Sequence, residues 1–382
     1  MDFESLFDIP IDDLHTPCYL TDARLLQKNT ALLKQIQQRT GCKILLAQKA
    51  FSMFSAYPLI RDDLAGTTAS GLFEAKLGRE HFGKEVHVFS PAYTQEDFTQ
   101  LLELCDHIVF NSFGQWKKYR QQVQDATRNI SCGIRINPGY AEVETDLYNP
   151  CISGSRMGVP LEQMEDDFAG LDGIHFHTMC EQNSDVLERT LDHMLPQFDK
   201  WLKRCKWVNF GGGHHITRPD YDVERLVRCI DRVRDTYGVQ VYLEPGEAVA
   251  LNAGYLVATV LDVVHNGMDI AILDASAACH MPDVLEMPYR PHILYSGTAG
   301  EKTHTYRLAG NTCLAGDVIG DYSFDHQLQS GEKLVFCDMA IYSMVKNNTF
   351  NGVPLPDIAL YQNGHIDLVK RFGYADFEGR LS

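Results

Sequence analysis

A lysine closes the first long apolar run of this chain, Lys43-Ile-Leu-Leu-Ala-Gln-Lys49-Ala. A leucine-rich run without polar alternation reads as a strand buried on both faces, as in a parallel sheet flanked by helices. The spacing therefore puts Lys49 at the C-terminal mouth of that strand. An ammonium held out of water drops in pKa, and the neutral amine attacks carbonyls to form a Schiff base. The plain alternative is a lysine that stretches from the strand end to solvent. Two further features carry chemistry of their own. Gly211-Gly-Gly213 lets backbone N–H groups approach a phosphate with no side chain in the way, or is simply a tight turn. Glu244 ends another apolar run, where a carboxylate in low dielectric needs a partner, and a protonated pyridine nitrogen or an arginine would serve.

Residues like these need a frame that brings strand ends together. Apolar runs recur at Lys43 to Ala50, Leu64 to Ala69, Val86 to Ser90, Ile108 to Asn111, Gly133 to Asn137, Gly173 to His177, Trp207 to Phe210 and Val241 to Glu244. Between them lie polar segments of helical period, such as Gln95 to Cys105, Phe113 to Ala126, Ser184 to Lys203 and Asp222 to Tyr237. Asp22 is placed to cap a helix over 23–38 that Gly41 stops. Eight strands alternating with helices predict an α/β protein with a (β/α)8 TIM barrel, with a doubly wound open sheet as the alternative. The barrel further requires unusual polar residues just past the strand ends. Lys49, Asn137-Pro-Gly139, His175-Phe-His177, Gly211 to Gly213 and Glu244-Pro-Gly-Glu247 fall there.

Past Glu247 the helical period disappears. Leu256 to Val264, Ile270 to Ala275, Thr303 to Leu308 and Lys333 to Phe336 read as strands of a C-terminal antiparallel β domain. The expected division is a barrel over 19–250 and a β domain over 251–382, with residues 1–18 packing on the latter.

Composition excludes several classes. The formal net charge of −17 over 382 residues repels nucleic acid and anionic membranes and favours a cationic substrate. Eleven cysteines, an odd number without a Cys-x-x-Cys pair, suit free thiols in a reducing compartment. Met1-Asp-Phe-Glu-Ser lacks the basic start and apolar core of a signal peptide, and Ala248 to Val264 is broken by Asn252, Gly254, Thr259 and Asp262. A cytoplasmic protein is expected.

A phosphate cradle, a Schiff-base lysine and a carboxylate for a pyridinium together specify pyridoxal phosphate, an electron sink for carbanions on amino acids. Here the chain resembles the fold type III pyridoxal-phosphate decarboxylases, the family of ornithine and diaminopimelate decarboxylases and of the alanine racemase type of barrel. The resemblance covers nearly the whole chain. It rests on Ala47-Gln-Lys49-Ala, Gly173-Ile-His-Phe-His177, Gly211 to Gly213, Glu244-Pro-Gly246, Gly310-Asn-Thr-Cys313 through Asp317, and Tyr342.

The resemblance implies that Lys49 carries the cofactor, His177 stacks on its ring, Glu244 pairs with the pyridine nitrogen and Tyr342 reaches the phosphate. It also implies a homodimer with shared sites, in which Cys313 acts on the partner's cofactor and supplies a proton after carbon dioxide leaves. Without the family, Cys313 would read as an inert buried thiol. Two positions depart from the family: Glu247 stands where Arg commonly follows Glu-Pro-Gly, and Cys180 stands where a Ser commonly helps to hold phosphate. The phosphate then depends on backbone amides of Gly212, Gly213 and Gly246. With Asp274 to Asp283 and the overall length, these departures look most like the branch that decarboxylates carboxynorspermidine and carboxyspermidine in polyamine biosynthesis. Glu247, Asp283 and Asp317 are the expected substrate ligands, unless the first two are solvated surface acids. Another diamino or basic acid (diaminopimelate, ornithine, arginine) is the alternative substrate. His175, His177, His214 and His215 as ligands of a metal-dependent barrel hydrolase form a competing reading that leaves Lys49 and Cys313 without a role.

Overall fold

The computed structural model describes Glu4 and residues 7–382; residues 1–3, 5 and 6, part of the segment expected to pack on the β domain, lie outside the described residues. The chain divides into two compact units, residues 27–249 and residues 1–26 with 250–382.

In the first unit eight parallel strands close on themselves. They run Lys43–Ala47, Gly66–Ala69, Glu85–Phe89, His107–Phe110, Ser131–Asn137, Gly173–His175, Trp207–Asn209 and Gln240–Leu243, and the last pairs with the first. Closure rules out the open sheet. The helices between them begin at side-chain caps: Thr94, Ser112 and Asp222 each accept the N–H three residues on. Each cap satisfies a donor that the first helical turn leaves free. Gly41 and Gly238 end their helices with left-handed φ of +71° and +67°.

One end of the barrel is filled by Leu45, Val109, Trp207 and Tyr242. The indole of Trp207 lies across two neighbouring strands, and a Cβ on Gly173 would sit 2.1 Å from it. Glycine is therefore required there by space, and Gly173→Ala would have to move the strand or the ring.

The second unit is a nine-stranded sheet, mostly antiparallel. Its long strand Gly254–His265 pairs antiparallel with Asp269–Leu273, Lys333–Cys337 and Cys18–Asp22. Two pairings are parallel, Cys18–Asp22 with Asp357–Gln362 and Asp269–Leu273 with His304–Ala309; the others are antiparallel, as expected of the C-terminal domain. Cys18, Leu20, Tyr255, Val257, Val335, Cys337 and Ala359 form its core, with Ile9, Phe7 and Leu14 packed on the same cluster. No helix among the described residues is long and apolar enough to cross a membrane. All eleven cysteines are free.

Candidate active site

The mouth of the barrel holds a cavity of about 240 Å³ lined by Lys49, Thr68, Ser70, Phe89, Arg135, His175, His177 and Glu244 among others. Lys49 follows the strand Lys43–Ala47 by two residues. Its side chain keeps accessible surface although the barrel surrounds it, because the surface it presents faces the cavity. Burial first, and then the Arg135 guanidinium, lower its pKa; Glu244, Glu247 and Cys180 pull the other way. Among the described residues no ion pair or hydrogen bond engages the amine.

Glu244 is buried at 7% exposure, with Oε2 3.1 Å from His175 Nε2 and Oε1 accepting from Asn209 Nδ2 at 2.8 Å. Burial alone would raise its pKa, but His175, His87 and Asn209 bring it down to about 2. His175 is itself kept neutral by burial, so it serves Glu244 as an N–H donor rather than as a cation. At neutral pH the cavity therefore presents a fixed carboxylate.

His177 is also neutral. Burial, with Lys49 and Arg135 beside it, pushes its pKa well below the ordinary histidine value. The Gly212 N–H donates to its Nδ1 at 3.2 Å, which fixes the ring and leaves the proton on Nε2. The three glycines are required by this packing: Cβ atoms on Gly211, Gly212 and Gly213 would sit 2.5, 2.6 and 2.0 Å from the carbonyl oxygens of Phe176, Glu244 and Met179. The close approach leaves Gly212 and Gly213 as bare backbone beside the site.

These residues fit pyridoxal phosphate: a desolvated, unengaged amine, an ionised buried carboxylate and a flat neutral imidazole line one cavity of suitable size. The side-chain phosphate ligands of relatives, an arginine and a serine, are missing from the two departing positions. Cys180 is a thiol pushed up to about 12 by burial and by Glu247, then by Glu181. Glu247 is buried, with Oε2 3.0 Å from His215 Nε2, and its side chain hydrogen-bonds Glu181. Burial and the neighbouring Glu247 push Glu181 up to about 7.

The four histidines of the competing metal reading are not gathered as ligands. His175 serves Glu244, His177 accepts from Gly212, His214 Nε2 meets the Phe210 carbonyl at 3.4 Å, and His215 serves Glu247. Of the four, only His215 belongs to a group of three converging ligand atoms among the described residues, with Glu181 and Glu247.

Cys313, Tyr342, Asp283 and Asp317 lie in the other unit. Cys313 is exposed. Tyr342 has φ 54° and ψ −49°, and Ser343 N–H closes onto the Ile341 carbonyl at 2.6 Å, a strained γ-turn. Such strain in a non-glycine residue marks positions where placement matters. Asp283 is engaged by Lys346, which also meets Glu286 at 2.7 Å, so the carboxylate expected to meet a substrate ammonium already has a cation. Asp317, buried at 3%, accepts from Ser276 Oγ, Thr312 Oγ1 and the Ala278 N–H. Its carboxylate, expected to face substrate, is thus occupied within its own unit.

Sequence reasoning passed over Arg135, Asn209, Phe89 and Glu181. Arg135 is 6% exposed, donates to the His177 carbonyl at 3.2 Å and lies 4.6 Å over the Phe89 ring. Its signal was an arginine inside the apolar run Ser-Cys-Gly-Ile-Arg-Ile-Asn, and Asn209 was likewise a polar residue inside a buried strand.

A closed parallel barrel with a cavity-facing lysine, a glycine-rich turn and an ionised glutamate at its mouth, carried with a separate β sheet, defines a pyridoxal-dependent decarboxylase. The family model described as "Pyridoxal-dependent decarboxylase, C-terminal sheet domain" matches residues 18–340, and the chain belongs to that family. It is 42% identical to a carboxynorspermidine/carboxyspermidine decarboxylase of Campylobacter jejuni, over 97% of this chain and 99% of that one. It is 41% identical to a carboxyaminopropylagmatine decarboxylase of Synechocystis, over 97% and 96%. The crystal structure of carboxynorspermidine decarboxylase complexed with norspermidine from Campylobacter jejuni superposes with a TM-score of 0.89 at 40% identity, covering 96% of this chain and all of that one.

Proposed function

We propose that this decarboxylase acts on carboxynorspermidine and carboxyspermidine, releasing carbon dioxide and the triamine in polyamine biosynthesis. The observation that carries the reading is the acidic mouth: where relatives commonly place a phosphate-holding arginine, this chain buries Glu247 against His215 and Glu181. A carboxylated triamine presents an amino-acid head followed by secondary and primary ammonium groups, each needing a counter-charge on leaving water. The Campylobacter relative supports that substrate. The Synechocystis relative favours a second reading, a carboxylated chain ending in guanidine, which the same acids would also accept.

In the proposed site Lys49 carries the cofactor, Glu244 holds its ring nitrogen, His177 stacks on the ring, and Gly212, Gly213, Gly246 and Tyr342 hold the phosphate. Pyridoxal phosphate, when bound, supplies the electron sink for the carbanion left by departing carbon dioxide. Lys49 contributes an amine whose lowered pKa enlarges the neutral, nucleophilic fraction. Glu244 stays ionised and so keeps a proton on the group it faces. Cys313, from the partner of a homodimer, gives a proton to the carbon that lost carbon dioxide. Glu247 receives a substrate ammonium; Asp283 would join it only by exchanging Lys346 for the substrate. We place the enzyme in the cytoplasm, with no nucleic-acid or membrane partner.

The test is to offer the purified protein carboxynorspermidine, carboxyspermidine, carboxyaminopropylagmatine, diaminopimelate, ornithine and arginine and to measure carbon dioxide release. The two carboxylated triamines should lead in kcat/KM. A preference for diaminopimelate would overturn the substrate assignment while leaving the family unchanged.

A further inference from the structure

The turn carrying Cys313 is exposed yet held by more bonds than a surface turn needs. Cys313 is the one exposed cysteine among the described residues. Its own N–H donates to Asn351 Oδ1 at 2.8 Å. On the preceding residue Thr312 Oγ1 donates to Asp317 Oδ2 at 2.6 Å, and on the following one the Leu314 N–H donates to Thr312 Oγ1 at 3.3 Å. Backbone bonds close the loop from both sides, Gly310 N–H to the Asp317 carbonyl at 2.9 Å and Asp317 N–H to the Leu314 carbonyl at 3.0 Å.

Asp317 is anchored inward as well. It accepts from Ser276 Oγ at 2.8 Å and from the Ala278 N–H at 3.1 Å, and a Cβ on Gly310 would lie 2.2 Å from its Oδ2. Asn351 sits at φ 58°, a left-handed conformation that asparagine accepts more readily than most residues. The Cys313 peptide is thus tied to Asn351 and the Thr312 hydroxyl to Asp317, with the Leu314 N–H held in turn by that hydroxyl, while no protein hydrogen bond engages the thiol among the described residues.

We propose that Asp317 and Asn351 are positioning residues for the Cys313 thiol, Asp317 acting through Thr312 and Asn351 through the Cys313 peptide. The inference rests on the reading of Cys313 as proton donor. In that step the S–H bond breaks as a C–H bond forms on the carbon that lost carbon dioxide, and the thiolate regains its proton from solvent. Such a transfer requires heavy atoms within hydrogen-bond reach, and a small displacement of the donor slows it steeply. The thiol is assigned this proton transfer alone and no part in substrate binding.

The test uses full-length holoenzyme carrying Asn351→Ala, Thr312→Val, Thr312→Ser or Cys313→Ala. Asn351→Ala and Thr312→Val should lower kcat by about tenfold or more, on the scale of a misplaced catalytic group, with KM for carboxynorspermidine nearly unchanged. The rate at which a thiol reagent labels Cys313, read by peptide mapping, should shift in the same two variants, while Tm and cofactor absorbance should not. Thr312→Ser, which keeps the hydroxyl, should restore both readouts. Wild-type kcat in Asn351→Ala and Thr312→Val beside an inactive Cys313→Ala overturns the positioning role alone. Wild-type kcat in Cys313→Ala instead overturns the proton-donor reading, and the positioning role with it. A fall in kcat matched by lost Tm or cofactor absorbance also overturns it, as a general loss of folding.

Discussion

His175 Nε2 stands 3.1 Å from Glu244 Oε2, and this contact, with Asn209 on the other oxygen, keeps a buried carboxyl ionised. Removing the donor should let burial dominate and raise the Glu244 pKa. His175→Phe fills similar space without the N–H. The acid limb of its kcat/KM profile should move to higher pH and its affinity for the cofactor should fall. A pH-rate profile and a cofactor titration check both, and an unmoved acid limb would show that His175 does not set the charge on Glu244.

Lys49 is proposed to hold the cofactor covalently. Purified protein should absorb in the visible, and Lys49→Ala should not. Borohydride reduction followed by peptide mapping should find the cofactor on Lys49; recovery on another lysine would move the site. Arginine is no safe control, since its guanidinium stays protonated and cannot replace the amine.

Sharing of sites in a homodimer is tested by mixing two inactive variants, Lys49→Ala and Cys313→Ala. Each mixed dimer should regain one working site of its two, because one pairing joins an intact lysine to an intact thiol. No recovery after verified subunit exchange would sink the shared-site arrangement.

Glu247→Gln and Glu181→Gln should each weaken binding of the carboxylated triamine by about 1.5–3 kcal/mol, the scale of hydrogen bonds to charged groups. Cofactor absorbance should be unaffected, because neither side chain is assigned to the cofactor. Equal KM values in wild type and both variants would remove the acidic mouth from substrate recognition.

Acid should destabilise the fold through its buried histidines. Burial lowers His214 and His280 from 6.5 to about 4 and His107 to about 2. In the unfolded chain these rings titrate near 6.5, so below that pH the unfolded state binds the extra protons. Stability should be level above about pH 7 and fall as the pH drops from 6.5 towards 4. Denaturant midpoints measured across this range check the sign; a rise in stability on acidification would contradict it.

The eight barrel strands, the main helices and the polar residues at the strand ends were legible in the chain because each signal is local. An apolar run of five residues, a cap such as Asp22, whose Oδ1 accepts the Arg24 N–H, or a stop such as Gly41 is decided by nearby side chains and backbone conformation. The same locality exposed Lys49, Gly211 to Gly213, His177 and Glu244 as a set. Tertiary structure alone decided what each one meets. His175 is 69 residues from Glu244 in sequence, and Arg135 reaches Lys49's cavity from a different strand. Cys18–Asp22 lies between Gly254–His265 and Asp357–Gln362, joining segments from both ends of the chain into one sheet. Such pairings depend on which strand edges and which faces meet, a property of closure and register that no window of sequence contains. The same limit explains why Asp283 and Asp317 looked like free carboxylates: the chain shows their charge, and only the fold brings up Lys346, Ser276 and Thr312 to occupy it.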